Sequence, residues 1–281
     1  MRLIAADPRT LGYRSALCSS LSLSKASLYR LKASQADLDR ELKDKIALIA
    51  KEWPCYGYRR ITAELVHAGH AVNHKKVLRL MREANLLCRR RKRRAATTNS
   101  EHGLAVYPNL ASSLSLTGAN QLWIADITYI GLPQGFAYLA AVLDAYSRKA
   151  IGWALSLRID TQLTLSALRM ALTERGAPQY HHSDRGVQYA SSEYVATLKG
   201  HNVQLSMSRS GNPYDNARME SFMKTLKHEE LYLNEYRTFE EIKVNINNFL
   251  AKVYNEKRLH SALGYLTPMQ FEDKQLTIAF P

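Results

Sequence analysis

The chain is poor in cysteine, and Cys18, Cys55 and Cys88 are odd in number and far apart. A disulfide framework is excluded, and the three read as reduced, partly buried thiols. The same scarcity argues against structural zinc: His70-x3-His74 would need a Cys-x2-Cys downstream, and only Cys88 follows. Long apolar runs are also missing. The longest uncharged one, Phe136 to Leu143, is less than half of the ~18 residues a membrane span takes, and residues 1–8 lack a signal-peptide centre. The expected location is the cytoplasm, with no membrane partner.

The first third is poor in acid. Residues 1–100 hold 22 Lys and Arg against 8 Asp and Glu, whereas residues 101–281 hold 17 of each, so the whole net charge of +14 sits at the front. A segregated excess of this size suits a polyanion such as nucleic acid. A merely solvated basic surface explains solubility but not segregation. With 281 residues and 46% apolar content, the chain has enough material for a real core and an appended module.

Residues 14–32 predict a small helix-turn-helix, with Leu17 and Leu21 on one helix and Ser24 capping the next; a plain helical hairpin fits equally. A second unit is better marked. Ile61 and Leu65 give one apolar face, Gly69 ends that helix, and Asn73 caps another whose Val77, Leu80 and Ala84 turn inward. Its opposite face aligns Lys75, Arg79 and Arg82 at i, i+4, i+7, as a helix lying along a DNA backbone needs; a solvated face would look similar. Arg89, Arg90, Arg91, Lys92, Arg93 and Arg94 follow without interruption. Six adjacent cations cannot pack in a core, so they form an arm able to neutralise phosphates. The predicted divisions are 1–35, 36–94 including the arm, a linker 95–118, and 119–281.

From Gln121 the pattern changes to strands. Leu122, Ile124, Asp126, Thr128 and Ile130 alternate with Trp123, Ala125, Ile127 and Tyr129, which puts Asp126 on a mostly apolar face. A carboxylate there is costly unless a charged group meets it. A turn over Gly131 to Gly135 leads into a strand ending at Asp144, and a third strand spans 150–157. A helix runs from an Asp160 cap to Gly176, and a short strand over 179–183 ends at Asp184. A helix at 192–199 and a strand at 203–206 precede a polar loop. A further helix, expected from about Asp215 to His228, carries Glu220, Lys224 and Lys227 on one face. The last long helix opens with the capping box Thr238-x-x-Glu241.

Asp126, Asp184 and Glu220 thus come from three separate elements, with 35 residues between the second and third. Mg2+ is typically held by a few carboxylates together with substrate phosphate oxygens. Two such ions ~3.5–4 Å apart can activate an attacking oxygen and stabilise a leaving one. The alternative is that each acid is local: Asp126 paired with an Arg, Asp184 in a turn, Glu220 on a wet helix face. Asp144 and Asp215 compete for the same roles, but Asp144 better ends its strand and Asp215 better caps the Glu220 helix. His181 and His182 read as positioning groups. Ser183 and Ser221 have no partners that would make either a nucleophile.

Those residues lie in motifs that resemble the DDE transposases of the insertion sequence 3 group, OrfB type. They are Trp123-x-x-Asp126-Ile127-Thr128-Tyr129, Asp144-x-x-Ser147-Arg148 with Gly152-Trp153, His182-Ser183-Asp184-Arg185-Gly186-x-Gln188-Tyr189, and Ser208 to Phe222. Tyr254-Asn255-x-x-Arg258-x-His260 through Thr267-Pro268 closes the match, and Tyr56-Gly57-Tyr58-Arg59-Arg60 opens it. The resemblance runs from about residue 40 to 272 and implies an α/β fold. Its core is ribonuclease H-like and similar to retroviral integrase, a mixed five-stranded sheet flanked by helices, preceded by a small all-α helix-turn-helix region.

The resemblance further implies Asp126, Asp184 and Glu220 as catalytic metal ligands for two Mg2+ ions, with Mn2+ as a substitute, and Lys227 as a contact to DNA near the element end. The implied activity is metal-dependent strand cleavage and strand transfer by a multimer on double-stranded DNA, in the bacterial cytoplasm at the nucleoid. Ala125 departs from the threonine common before the first aspartate and touches no ligand. The chain has no leucine zipper, so an OrfA partner or fusion is expected to recognise the element ends. The alternative function is a non-catalytic DNA-binding remnant or inhibitor of transposition.

Overall fold

A computed structural model of the chain describes residues 35–88, 105–208 and 216–279. The predicted helix-turn-helix at 14–32, the basic arm Arg89–Arg94 and Asp215 lie outside them. The chain divides into two compact units at residues 89 and 90.

The front unit has three described helices, α1 (Gln35–Glu52), α2 (Tyr58–His67) and α3 (His74–Glu83). Gly69, at φ +84°, follows α2 in a conformation that a side chain disfavours. Asn73 caps α3 by accepting from Lys75 N at 2.8 Å. Ile61, Leu65, Val77, Leu80 and Met81 are buried together with Ile46 and Tyr56. Met81 takes the inward place expected for Ala84, which caps α3 and is exposed, because the helix ends one residue before it.

The second unit is built on five strands, β1 (Leu122–Leu132), β2 (Gly135–Asp144), β3 (Ala150–Ser156), β4 (Tyr180–Ser183) and β5 (Gln204–Met207). Their order is β3-β2-β1-β4-β5. β1 and β2 are antiparallel, as are β2 and β3, while β4 pairs parallel with both β1 and β5. β1 runs past the expected turn at Gly131, since Leu132 pairs with Gly135 and leaves only Pro133 and Gln134 between the strands.

Helices α4 (Thr161–Arg175), α5 (Val187–Ala190) and α6 (Ser192–Gly200) follow in chain order, then α7 (Ala217–Leu226), α8 (Phe239–Asn248) and α9 (Pro268–Ala279). One face of the sheet, through Leu122, Ile124 and Ile130, packs on Met219, Phe222 and Met223 of α7 and Ile242 and Ile246 of α8. The other, through Trp123 and Ala125, packs on Leu165 and Leu168 of α4 and on Tyr194. Gly152 makes the second contact possible: a Cβ there would run into the carbonyl oxygen of Ala167 on α4.

Three sequence signals hold as local bonds. Asp160 caps α4 by accepting from Leu163 N at 3.0 Å, Thr238 and Glu241 form the reciprocal box opening α8, and Asp144 ends its strand. The buried Asp144 carboxylate accepts from Asn120 N at 2.7 Å and from Tyr146 N and Ser147 N at 2.9 Å.

The C-terminal region departs from expectation. The helix opened by Thr238 widens into a π-helical stretch, Phe249–Lys257, and α9 adds a helix the periodicity left unassigned. Thr267 marks the start of α9, its Oγ1 accepting from Gln270 N at 3.1 Å. Buried Asn255 on the π stretch accepts from Ala150 N at 2.9 Å and donates to Ala150 O at 2.8 Å, tying the start of β3 to this region. Replacing Asn255 by Ala leaves two buried backbone groups unpaired. Urea unfolding is expected to show a loss of about 2–4 kcal/mol, where a surface Asn→Ala change costs little.

Candidate active site

β1 and β4 lie side by side and parallel, with Ile124 opposite His182. Two residues further along each chain stand Asp126 and Asp184. Asp126 Oδ1 accepts from the adjacent Ile127 N at 2.8 Å. Asp184 Oδ1 accepts from Gly186 N at 2.9 Å, and a Cβ on Gly186 would stand 3.0 Å from that oxygen. A glycine therefore lets the chain fold closely around this carboxylate.

Burial raises the Asp126 carboxyl to about 7, and the like charge of Asp184 adds to the rise. The Ile127 N–H and the Lys227 ammonium oppose it, and Glu220 makes the smallest push upward. Asp126 thus feels the charge of Asp184 more than that of Glu220. Glu220 is exposed on the first turn of α7, between buried Met219 and Phe222. Among the described residues, no three of His, Cys, Asp and Glu stand close enough to enclose a metal ion.

α7 was expected to continue to His228. It ends at Leu226 and widens into a π-helical turn, Lys227–Leu231. Lys227 sits at the junction, its Nζ 5.6 Å from the centre of the Tyr129 ring on β1. Lys224 is exposed and is not among the groups acting on Asp126. The π turn also carries Glu229, which receives the Arg258 guanidinium in a two-point pair at 2.6 and 2.7 Å, with Arg258 only 3% exposed. Neither Glu229 nor Arg258 drew notice in the sequence as a partner of the other, because their contact spans 29 residues.

The two histidines before Asp184 are buried. His181 Nε2 lies 3.0 Å from the Tyr194 hydroxyl, and burial drives its pKa down to about 3, with His182 adding to the fall. His182 bridges Ser206 Oγ at 2.8 Å and Ser208 Oγ at 3.0 Å. Ser206 Oγ also accepts from Leu110 N and Ala111 N, at 2.9 and 3.2 Å. A hydroxyl has two lone pairs and one proton, so Ser206 donates to His182 Nδ1, and Nε2–H donates to Ser208. Arg185 Nε donates to Ser208 O at 2.8 Å, anchoring the chain just before residue 209.

The donor set suits a divalent cation: two mutually repelling carboxylates at the level where parallel strands end, with a third acid on the facing helix. Two buried hydroxyls, Thr128 Oγ1 on the Asp126 face of β1 and Tyr189 Oη after Asp184, have no hydrogen-bond partner. Asp144, the rival acid, is spent on three backbone N–H groups and is no part of the site.

In the front unit, Lys75 and Arg82 are exposed. Arg79, expected beside them as a free cation, is held at 2.7 Å by both Asp39 and Glu83. Asp39 also pairs with Lys76 at 2.8 Å. No helix among the described residues is long and apolar enough to cross a membrane.

Family models described as an integrase core domain match residues 117–213 and 201–268, and one described as an HTH-like domain matches residues 37–94. The chain is 37% identical over 271 residues to the transposase InsF for insertion sequence IS3A of Escherichia coli (strain K12), covering 93% of this chain and 94% of that one. It is 39% identical over 243 residues to the insertion element IS600 uncharacterized 31 kDa protein of Shigella sonnei, covering 85% and 89%. Among solved structures, the HTLV-2 integrase catalytic core domain in complex with magnesium aligns with 55% of this chain and 97% of that one, at 19% identity and a TM-score of 0.43.

The raised Asp126 pKa has a signed consequence. Between 3.8 and about 7 the unfolded chain has released this proton and the folded chain retains it. Its contribution to stability therefore falls as pH rises through that window and is flat above it. Asp126→Asn removes the effect. In urea unfolding without divalent metal, the variant is expected to gain on wild type between about pH 4 and about pH 7, by at most about 4 kcal/mol in all. A pH-independent difference contradicts this electrostatic account.

Proposed function

This chain belongs to the insertion sequence 3 family of transposases, and on that premise we propose that Asp126, Asp184 and Glu220 cut and join DNA strands at the ends of an insertion element. Transposition is the family's activity, carried out by DNA-cleaving and strand-transferring enzymes. The observation that carries the site assignment is that Asp126 on β1 and Asp184, one residue past the end of the parallel β4, stand at the same level and act on each other, with the Lys227 charge opposing the rise at Asp126.

Bound there, two Mg2+ ions, or Mn2+ in their place, would supply Lewis-acid activation of the attacking oxygen and charge stabilisation at the leaving one. Asp126 and Asp184 form the fixed part of the site. Glu220, exposed on the first turn of α7, completes it by turning its side chain toward the pair. Asp126 and Asp184 would hold the cation as carboxylates, its positive charge offsetting the repulsion that otherwise favours the protonated form of Asp126. Lys227, steadied on the Tyr129 ring, neutralises a phosphate near the scissile bond. Water first hydrolyses one phosphodiester and frees a 3′ hydroxyl. That hydroxyl then attacks a second phosphodiester, displacing its leaving oxygen and joining the two ends of the element.

In this reading the protein is organised as 1–35, 36–94, 95–118 and 119–281, and the front region holds double-stranded DNA. Lys75, Arg82 and the arm Arg89–Arg94 contact phosphates, and Lys224 adds a contact beside the site. Arg79 serves as a brace to α1, because Asp39 and Glu83 already balance its charge. The active form is a multimer on DNA, working with an OrfA partner or fusion at the bacterial nucleoid in the cytoplasm.

Labelled element ends incubated with the protein and Mg2+, with and without OrfA, test the whole reading. Asp184→Asn is expected to lose cleavage and joining below detection while retaining DNA binding; strand transfer by this variant removes Asp184 from the site. A folded wild-type protein that binds ends under all conditions and never nicks them supports the DNA-binding remnant. For the front unit, replacing Lys75 and Arg82 by Ala should lower the slope of log affinity against log salt by about 1 for each lost phosphate contact, and Arg79→Ala should lower it less.

A further inference from the structure

Tyr189 is 2% exposed, and its hydroxyl has no hydrogen-bond partner. Buried polar groups are nearly always satisfied, so an orphan beside a reactive site calls for a physical reason. The backbone leading to it is tied by hydrogen bonds to the Asp184 turn. Asp184 Oδ1 accepts from Gly186 N at 2.9 Å, and Gly186 O accepts in turn from Tyr189 N at 3.0 Å and Ala190 N at 3.1 Å. The Tyr189 ring meets the Tyr194 ring edge to face, centroids 5.3 Å apart, and the Tyr194 hydroxyl is engaged with His181. Nothing in this packing accepts the Tyr189 proton.

The hydroxyl lies within electrostatic reach of both acids: after burial and Tyr194, the charges of Asp126 and Asp184 keep it protonated well above the usual range. A phenol is protonated at neutral pH, so this hydroxyl is an unused donor on the turn that folds around Asp184, in the field of both acids. Serving structure alone, Phe would fill the same volume without an unpaired hydroxyl.

We propose that Tyr189 is a positioning residue for the cation site, whose hydroxyl donates to the Asp126–Asp184 carboxylate pair once that pair turns to hold divalent metal. A donor of this kind fixes the orientation of a ligating carboxylate, and its loss typically weakens metal affinity or activity ~10–100-fold. The inference rests on the proposed cation-binding role of Asp126 and Asp184.

The test uses the full chain and Mn2+ alone as probe, with free Mn2+ followed by electron paramagnetic resonance and thermal unfolding followed without metal. Tyr189→Phe is expected to unfold at the same or a higher temperature than wild type, because an orphan hydroxyl has been removed, and to bind Mn2+ ~10–100-fold more weakly. Unchanged Mn2+ affinity overturns the proposal. So does a lowered unfolding temperature with unchanged affinity, which would mean the hydroxyl has a structural partner. Asp184→Asn, measured in parallel, separates the two levels. If it and wild type bind Mn2+ equally, or wild type binds none, the cation reading of the acids fails and Tyr189 falls with it. If Asp184→Asn loses binding and Tyr189→Phe does not, only the Tyr189 role is lost.

Discussion

Asp126 on β1 and Asp184, one residue past the end of the parallel β4, are brought to the same level of the sheet, where the charge of one acts on the other, and much of the second unit fixes that register. β4 has only four residues, so its position depends on β1 and β5 on either side. The buried contacts of His181 with Tyr194, and of His182 with Ser206 and Ser208, pin the strand just before Asp184. Burial of the Asp126 carboxyl, with the like charge of Asp184 added, pushes its pKa up to about 7.

The facing wall is set by long-range contacts. α7 carries Glu220 at its start and Lys227 where it widens into a π turn. The Glu229–Arg258 pair holds that turn to the C-terminal π stretch, and Asn255 ties the same stretch to β3. π turns are uncommon, and this one begins at Lys227, whose ammonium lies over the Tyr129 ring and whose charge opposes the rise of the Asp126 pKa. In the front unit, formal charge overstates the available charge. Asp39 and Glu83 occupy Arg79, Lys76 and Lys43, so part of the basic excess fastens α3 to α1.

Much of this was legible locally. Asp160, Asn73, Thr238 with Glu241, and Gly69 act within a few residues of themselves, and each does what its type predicts. Asp126 stood out because a carboxylate on an apolar strand face contradicts its neighbours. Met81 and Ala84 show the limit of periodicity, since one residue of difference in helix length exchanges which of them is buried. The π-helical stretches escaped because no residue type marks an extra residue in a helical turn; partners far along the chain decide it.

Most strands and helices, their caps, the separation of charge and the family were legible in the sequence alone, because those depend on neighbouring residues and on motifs that survive as strings. Only the tertiary structure decided which acids act on each other and which cations are already balanced. It also left the Tyr189 hydroxyl buried without an acceptor. Those properties depend on distance and burial between residues far apart in the chain: Asp126 feels Asp184 through the pairing of β1 with β4, Arg79 meets Asp39 across two helices, and Arg258 meets Glu229 across the C-terminal turns.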